Sequence, residues 1–144
     1  MTQTDNTRRI ISDFILTIWN QRRFDCLDQF IHPSFMDHSL PPQLPADRSG
    51  LVQWIQATSV SFEHTTHIAE QVTEEDKSIL KITLQLKHIG EWRGIPATGA
   101  AVSVVGYRYF RVAEGRIIEH WALIDGNSLE NLLKQSHHGC KLQA

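Results

Sequence analysis

Two histidines in apolar segments are the residues of this chain best placed to do chemistry. His88 continues a run in which every second residue is aliphatic, and His120 lies in the stretch E-H-W-A-L-I-D, residues 119–125. Side chains alternate between the two faces of a strand, so this spacing predicts that both imidazoles point inward. Because imidazole titrates near neutral pH, either could move a proton in a reaction. The alternative for His88 is a core histidine that hydrogen-bonds to the backbone.

Three more polar residues are candidates for the same site. Arg108 lies on the apolar face of its strand, where a guanidinium is costly unless it is paired, faces a ligand anion or reaches solvent. Asp125 could act as an acid/base group or cap a helix, although Asn127 with Glu130 has the better capping-box spacing. His38 follows the second predicted helix, where either function or plain surface exposure is expected. The apolar walls of a pocket are predicted to come from Trp54, Trp92 and Phe110.

The histidine pairs in the sequence do not have the spacing of a metal site. His64 and His67 are three residues apart in a predicted strand, so their side chains face opposite sides. His137 and His138 lie in the C-terminal tail, and no cysteine cluster or H-E-x-x-H motif accompanies either pair. The sequence also has no glycine-rich phosphate loop and no nucleophile elbow. We therefore expect no metal at the site.

The elements that must position these residues are helices followed by strands. Helical spacing of apolar residues predicts helices over residues 5–20, 24–31 and, from a cap at Asp47 or Ser49, up to residue 60. A brief extended piece, 35–38, lies between the second and third helices. Beyond residue 60 the period changes to two, which predicts strands over 64–72, 78–89, 101–112 and 116–124. A final helix, 128–135, precedes a loose tail, 136–144. This order is typical of a single α+β domain, residues 1–144, with helices on one face of an antiparallel sheet.

Composition excludes several classes of partner. The chain has 144 residues, a formal net charge of −2 and no basic block, which argues against nucleic acid or an anionic membrane surface. No apolar run is long enough to span a bilayer. The two cysteines, Cys26 and Cys140, are far apart and do not make a disulfide framework, so a reducing, cytoplasmic setting is expected.

Three motifs and one further residue together resemble one known family. They are F-M-D-H at 35–38, H-I-G-E-W-R-G-I-P-A-T-G at 88–99, Y-F-R-V-A-E-G-R-I-I-E-H-W at 109–121, and Asp125. With the order of elements, they make the chain similar to the SnoaL-like polyketide cyclases, which have the cone-shaped NTF2-like fold. The resemblance runs over residues 8–135. It implies a pocket between a curved antiparallel sheet and the N-terminal helices, and a homodimer formed through the outer sheet face.

The resemblance also implies an activity. Characterised cyclases of the family close a ring by intramolecular aldol condensation, without metal or cofactor. By this resemblance His38, His88 and His120 are pocket residues. The family also uses a pocket aspartate as acid/base, placed two residues after the strand histidine, and here that position is Ala122. Asp125 or a histidine would then have to replace it.

These observations lead to the hypothesis of a cofactor-free polyketide cyclase-type enzyme, which acts on a small apolar carbonyl compound by intramolecular aldol cyclisation or isomerisation. His120 or Asp125 would take a proton from the carbon beside a carbonyl, and His88 and His38 would hydrogen-bond the developing enolate oxygen. Two alternatives stay open. The pocket could bind a ligand without turning it over, or Arg108 and Asp125 could activate water in a hydrolase or an isomerase on the same scaffold.

Overall fold

The chain folds into a curved five-stranded sheet with helices packed along one of its faces. The computed structural model describes the backbone of residues 1–143 and the side chains of residues 1–136. The helices are α1 (Gln3–Phe14), α2 (Arg48–Ser61) and α3 (Gly126–Gln143). The strands are β1 (Ile31–Asp37), β2 (Phe62–Glu74), β3 (Lys77–His88), β4 (Ala101–Ala113) and β5 (Arg116–Ile124). Their order in the sheet is β1-β5-β4-β3-β2. The predicted α+β architecture is confirmed.

The N-terminal helical region starts at a capping box and changes its geometry midway. Thr2 and Asp5 bond each other's backbone N–H groups, which satisfies two donors that a helix end leaves unpaired. The predicted helix over residues 5–20 is α-helical only in its first part, because the segment Ile15–Asn20 is a π-helix. A π turn holds more residues than an α turn, so it rotates the side chains that follow it. Trp19, near the end of this segment, is buried.

The first strand occupies a region that the sequence analysis assigned mostly to a helix. The second predicted helix, 24–31, is a 3-10 helix over Phe24–Gln29, and β1 begins two residues later. The predicted extended piece, 35–38, is only the end of that strand. Pro33 is tolerated because β1 lies at the sheet edge, where a residue without an N–H costs no ladder bond. β1 runs parallel to β5, so the expectation of a wholly antiparallel sheet is wrong at this edge.

The strands after residue 60 and the helix before them follow the sequence pattern closely. Each of β2 to β5 begins and ends within two residues of its predicted bounds, and all three pairs among them are antiparallel. Tight turns at residues with positive φ join β2 to β3 and β4 to β5, with Glu75 at 54° and Gly115 at 75°, whereas a longer loop joins β3 to β4. The predicted cap of α2 is confirmed, since Asp47 accepts a hydrogen bond from the backbone N–H of Gly50.

The final helix is longer than the sequence analysis predicted. Helix α3 begins two residues before the predicted start at 128, and its backbone continues past the predicted end at 135. The loose tail predicted for 136–144 lies, apart from Ser136, outside the residues whose side chains are described. Over the described part of the chain, no helix is both long enough and apolar enough to cross a membrane.

The main core lies between the inner face of the sheet and the N-terminal helices. Strands β3 and β4 bury alternate side chains, as their period of two predicts, and these include Leu80, Ile82, Leu86, Val104 and Phe110. The alternation on β5 is interrupted, because the register with β4 shifts at the point opposite Arg111 and Val112. The inner face therefore presents both aliphatic residues and the few buried polar groups described next.

Candidate functional site

A cavity of about 470 Å³ lies between the inner face of the sheet and helix α2. Its volume is that of a pocket for a drug-sized ligand. The π-helical segment, the loop between β3 and β4, and the start of α3 complete its walls. Four residues that the sequence analysis selected line this cavity: Arg108, His120, Trp54 and Trp92.

His120 and Asp37 form a buried hydrogen-bonded pair in the cavity wall. Asp37 is the last residue of β1, and it stands in register with His120 on the parallel strand β5. His120 Nδ1 lies 2.9 Å from Asp37 Oδ2, and each residue is only 3% exposed. Burial lowers the pKa of His120, and this outweighs the opposite effect of its hydrogen bond to Asp37. The imidazole is therefore neutral at pH 7.

The environment of Asp37 keeps its carboxylate ionised. Burial acts to raise the pKa of Asp37, but hydrogen bonds from His120 and Ser39 outweigh it and hold the pKa below its ordinary value. Ser39 donates from its backbone N–H at 2.9 Å and from its hydroxyl at 2.7 Å, both to Oδ1. The other carboxylate oxygen accepts from His120 Nδ1–H, which fixes the tautomer and leaves the lone pair of the imidazole on Nε2.

Arg108 lies on the opposite side of His120 from Asp37. Its Nη1 is 3.3 Å from His120 Nε2, and its guanidinium carbon is 4.3 Å from the centre of the Trp19 ring. Because a guanidinium can only donate, Nε2 must be the acceptor, in agreement with the tautomer that Asp37 selects. Burial lowers the pKa of Arg108 to about 10 against the raising effect of Asp37, so the side chain is protonated at neutral pH. At 4% exposure, it does not reach out to solvent.

Ala122 and Trp19 are two neighbours that define the surroundings of this arginine. Arg108 on β4 stands directly across from Ala122 on β5, the position at which the sequence analysis expected a pocket aspartate. The side chain of Ala122 is only a methyl group, so it offers the guanidinium no hydrogen-bond acceptor from across the strand pair. On the other side, the π-helical segment brings Trp19 over the guanidinium, where the ring face attracts the cation.

His64 is a cavity residue that the sequence analysis did not select. Ser59 Oγ donates to the backbone carbonyl of Ile55, so it accepts the hydrogen bond from His64 Nε2–H at 2.9 Å. Burial, then Arg22 and Arg108, lower the pKa of His64, which keeps it neutral. It also borders a more open depression of about 870 Å³, to which strands β2, β3 and β4 contribute and which does not include the Asp37–His120 pair.

His88 is fully buried but anchors a loop instead of lining the cavity. The backbone N–H and the hydroxyl of Thr98 lie 3.2 Å and 3.0 Å from its Nδ1. Its own backbone pairs with Gly99 and Ala100, so the loop of residues 90–99 closes on this strand end. Its Nε2 has no hydrogen-bond partner among the described residues. The arrangement is that of the alternative expected for His88, a core histidine bonded to the backbone.

His38 is on the outer face of the sheet, away from the cavity. Its Nε2–H donates to Glu119 Oε2 at 2.9 Å, and its ring stacks on Trp121 at 4.4 Å between centroids. Glu119 also accepts hydrogen bonds from Arg111. The placement of His38 in the pocket is therefore corrected. Because residues of a strand alternate, the inward residue at the end of β1 is its neighbour Asp37.

Asp125 and Phe110 are also outside the cavity. Asp125 caps α3, accepting the backbone N–H of Ser128 at 2.9 Å and its hydroxyl at 2.7 Å. The predicted Asn127 capping box is therefore wrong, and Asp125 is not free to pair with Arg108. Phe110 is a core residue that packs against the back of His120, with ring centroids 4.6 Å apart.

Strand alternation in the sequence indicated two inward residues that the sequence analysis did not select for the site, Asp37 and His64. Ile31, Phe35 and Asp37 are separated by even numbers of residues, and all three are buried on β1. The same alternation on β2 buries His64 and exposes His67. Thus the expectation that these two histidines face opposite sides is confirmed, but the inward one was considered only as a metal ligand. For Trp19 there was no such signal, because helical periodicity does not reveal a π turn.

Metal-ligating side chains do not converge in the part of the chain whose side chains are described. No three His, Cys, Asp or Glu residues there could hold one ion. His137 and His138 lie outside that part.

Comparison with known proteins points to one family. The family model described as SnoaL-like polyketide cyclase matches residues 9–133. The aklanonic acid methyl ester cyclase DnrD of Streptomyces peucetius is 27% identical over 126 residues, which cover 83% of this chain and 81% of the relative. The nogalonic acid methyl ester cyclase of Streptomyces nogalater is 27% identical over 113 residues, covering 74% of this chain and 81% of that one.

Solved structures show the same fold. Wild-type IdmH from Streptomyces antibioticus has a TM-score of 0.80 at 25% identity, covering 89% of this chain and 98% of the other. TsrD from Streptomyces laurentii has a TM-score of 0.78 at 23% identity, covering 90% and 95%. The architecture shared with such NTF2-like neighbours is the curved sheet with helices on its inner face.

Proposed function

Because the chain belongs to the SnoaL-like polyketide cyclase family, we propose that it closes a ring in a small apolar carbonyl compound by intramolecular aldol chemistry, without metal or cofactor. The observation that carries this proposal is the buried Asp37–His120 pair in the wall of an apolar cavity. A neutral imidazole held in one tautomer by a carboxylate is a suitable general base.

In the proposed reaction His120 is the proton carrier. Its Nε2 takes a proton from a carbon next to a substrate carbonyl, and the C–H electron pair moves to form the enolate. The enolate carbon then attacks a second carbonyl of the same molecule, so one C–C bond forms and an alkoxide results. His120 returns the proton to the alkoxide, which leaves the enzyme unchanged and requires no oxidant or reductant.

We propose that Asp37 is a positioning residue for His120. It does not touch the substrate in this scheme; its carboxylate holds the imidazole and stabilises the imidazolium that forms during the reaction. In this scheme the acid/base group is therefore His120, and not a carboxylate at position 122, where this chain has Ala122. Trp54 and Trp92 are proposed as apolar walls that contact the substrate. The positions of His38, His88 and Asp125 give no support for a direct part in the chemistry.

The substrate is proposed to be a polycyclic or linear polyketide-type ketone. Two relatives are named for the methyl esters of aklanonic acid and nogalonic acid. The cavity of about 470 Å³ and its four large aromatic side chains, Trp19, Trp54, Phe62 and Trp92, suit an extended apolar ring system.

The proposal is tested with those two methyl esters as substrates. We expect a product of unchanged mass, or one water lighter, without added metal, nicotinamide or flavin. His120→Ala should lower kcat/KM by about 10²- to 10⁴-fold, the usual contribution of a positioned general base. His67→Ala, on the exposed side of β2, is the matched control and should keep full activity.

Full activity in the His120→Ala variant would contradict this mechanism. If neither ester reacts but both bind and raise the melting temperature, the binding-protein alternative is favoured. One observation supports that alternative, namely that Ala122 replaces an expected catalytic acid. The hydrolase alternative required Arg108 and Asp125 to act together, and the capping role of Asp125 gives it no support.

A homodimer formed through the outer sheet face is part of the proposal. Val105, Tyr107, Trp121 and Leu123 are exposed large apolar residues on adjacent strands. Such a patch is typical of an association surface. Light scattering should give twice the mass of one chain, and Val105→Lys should shift it toward the monomer; a monomer at every concentration contradicts the proposal.

A cytoplasmic setting also stays a proposal, supported by Cys26, which is unpaired among the described residues.

A further inference from the structure

The guanidinium of Arg108 has far fewer hydrogen bonds than a buried cation requires. Among the described residues its one hydrogen-bond partner is His120 Nε2, at a long 3.3 Å, and its Nε has none. Both carboxylate oxygens of the nearby Asp37 already accept hydrogen bonds, one from His120 and the other from Ser39. A buried charge without direct pairing is strongly destabilising. A ligand that accepts hydrogen bonds from the guanidinium and carries negative charge is therefore favoured at this position.

The charges that line the cavity favour an anion beside Arg108. Asp37 is the one acidic residue among the lining groups, whereas Arg93 and Arg108 are both cationic. His64 and His120 are neutral, since the pKa of each is lowered by burial. Arg93 has its own partner, Glu130 on α3, at 3.5 Å. Arg108 is therefore the cationic residue of the cavity whose charge is not balanced by a directly contacting carboxylate among the described residues.

We propose that Arg108 is the oxyanion-binding residue of this cavity and that the site takes enolates and phenolates carried on apolar, aromatic frameworks. The inference rests on the proposed function, in which an enolate forms next to His120. It assigns to Arg108 the stabilisation of the negative charge that develops on the substrate oxygen.

The geometry matches a single charged oxygen next to a carbon acid. Arg108 Nη1 and His120 Nε2 are 3.3 Å apart, so two neighbouring substrate atoms can contact both groups. In a ketone the acidic carbon and the carbonyl oxygen are bonded to the same atom. A carbonyl whose oxygen contacts Arg108 would therefore place its acidic C–H at His120. As the proton moves to Nε2, the charge that develops on oxygen is met by a cation already in place.

The contact between Arg108 and His120 also has a consequence for the free protein. The arginine N–H occupies the lone pair that must accept the proton, so the base is capped while the cavity holds no carbonyl. A carbonyl oxygen that draws the N–H to itself uncaps the base. Binding of the correct functional group and activation of His120 are thus the same event.

The direct test uses 4-nitrophenol, whose phenolate is an enolate analogue with its own absorption band. Bound beside a buried cation, it should ionise at lower pH than in water, with an ionisation constant raised at least about tenfold, one pKa unit. The measurement is a pH titration of the bound probe by difference absorbance. Arg108→Gln should abolish this shift, and Arg108→Lys, which keeps the charge but not the fork, should retain part of it.

Arg111→Gln is the matched control, since the same change is made three residues along the same strand, on the outer face. It should leave the probe titration unchanged. No binding of the probe to the natural protein, or an equal shift in the folded Arg108→Gln variant, would overturn the proposal. Tighter Arg108-dependent binding of 4-nitrobenzoate would overturn the ligand class, because the site would then be one for carboxylates.

The outcome is separable from that of the proposed function. Ionisation of the probe requires no turnover, so an Arg108-dependent shift without cyclisation of either methyl ester supports the oxyanion site and contradicts the cyclase mechanism. Cyclisation that survives Arg108→Gln without loss of kcat, with no shift in the probe, supports the mechanism and contradicts the role of Arg108.

Discussion

Two groups of the same residue types lie back to back on the sheet, one on each face. Each consists of a carboxylate, a histidine and an arginine: the inner group is Asp37, His120 and Arg108, and the outer group is Glu119, His38 and Arg111. Asp37 is adjacent in the sequence to His38, and Glu119 is adjacent to His120, so each adjacent pair contributes one residue to each group. Both arginines belong to β4. The composition of the two groups therefore cannot explain any difference in their chemistry.

The two groups differ in which residue lies between the other two. In the outer group the carboxylate of Glu119 is central and accepts hydrogen bonds from both Arg111 and His38, so its pKa is lowered, first by Arg111. Opposite charges are in direct contact there. In the inner group the histidine is central and separates Asp37 from Arg108, so neither ion meets its counter-ion directly. The inner group is left with an incompletely bonded cation and an imidazole that can exchange a proton.

Burial enlarges this difference. The inner residues are each 3–4% exposed, and burial is the largest influence on the lowered pKa values of His120 and Arg108. The outer group is solvated, where ion pairs contribute little and salt screens them. The comparison teaches that order and burial, and not the choice of residues, make one of these groups suitable for chemistry.

The largest expected effect contrasts the two histidines. His120→Ala should lower kcat/KM with the methyl esters by about 10²- to 10⁴-fold, because a positioned base is lost. His38→Ala should change it by no more than the variation between preparations, since its ring contacts Glu119 and Trp121 on the far side of the sheet. Equal losses in the two variants would break the comparison and give His38 a functional role.

The second effect is on stability and contrasts the two carboxylates. Asp37→Asn removes the buried charge to which His120 and Ser39 donate hydrogen bonds, which should lower the free energy of unfolding by about 2 kcal/mol. Glu119→Gln should change it little, because its partners are solvated and can bond water. Urea denaturation of both variants measures the difference. If Glu119→Gln proves the more destabilising, burial is not what separates the groups.

The third effect is on the pH dependence. The pKa of His120 is lowered from its ordinary value of 6.5, so kcat/KM should fall only at pH values below 6.5 and be flat through neutrality. Arg108 lowers the pKa of His120, so Arg108→Gln should move its titration to higher pH; Asp37 raises it, so Asp37→Asn should move it to lower pH. NMR titration of the imidazole protons reports these shifts independently of activity. Shifts of the opposite sign would refute the order of the inner group.

The smallest effect is the response to salt. The Debye length falls from about 10 Å at 0.1 M to about 3 Å at 1 M, which screens exposed charges much more than buried ones. Arg111→Gln removes the ion pair with Glu119 and should destabilise the protein slightly at low salt. This effect should disappear in high salt, whereas the destabilisation from Asp37→Asn should persist. Melting curves at the two salt concentrations check both expectations. A loss of the Asp37→Asn effect in high salt would show that the inner group is reached by solvent.

Local pattern was sufficient to predict most of the elements. The period of two predicted β3, β4 and β5, and it predicted that Arg108 and His120 point inward, where both are buried. Strand alternation depends only on neighbouring residues, so it can be seen in the sequence. The capping signal at Asp47 was local in the same way. The errors began where geometry depends on distant parts of the chain, at the π-helix Ile15–Asn20 and at β1, whose partner β5 follows about eighty residues later.

The sequence by itself determined the fold class, the inward direction of the site histidine and the family to which the chain belongs. Only the tertiary structure decided which residues meet. The parallel pairing of β1 with β5 brings Asp37, rather than His38, to His120. The register of β4 with β5 sets Arg108 opposite Ala122, and the π turn places Trp19 over the guanidinium. Hydrogen bonds and ion contacts act over a few ångströms, so a contact between residues 37 and 120 exists only once the sheet has joined their strands.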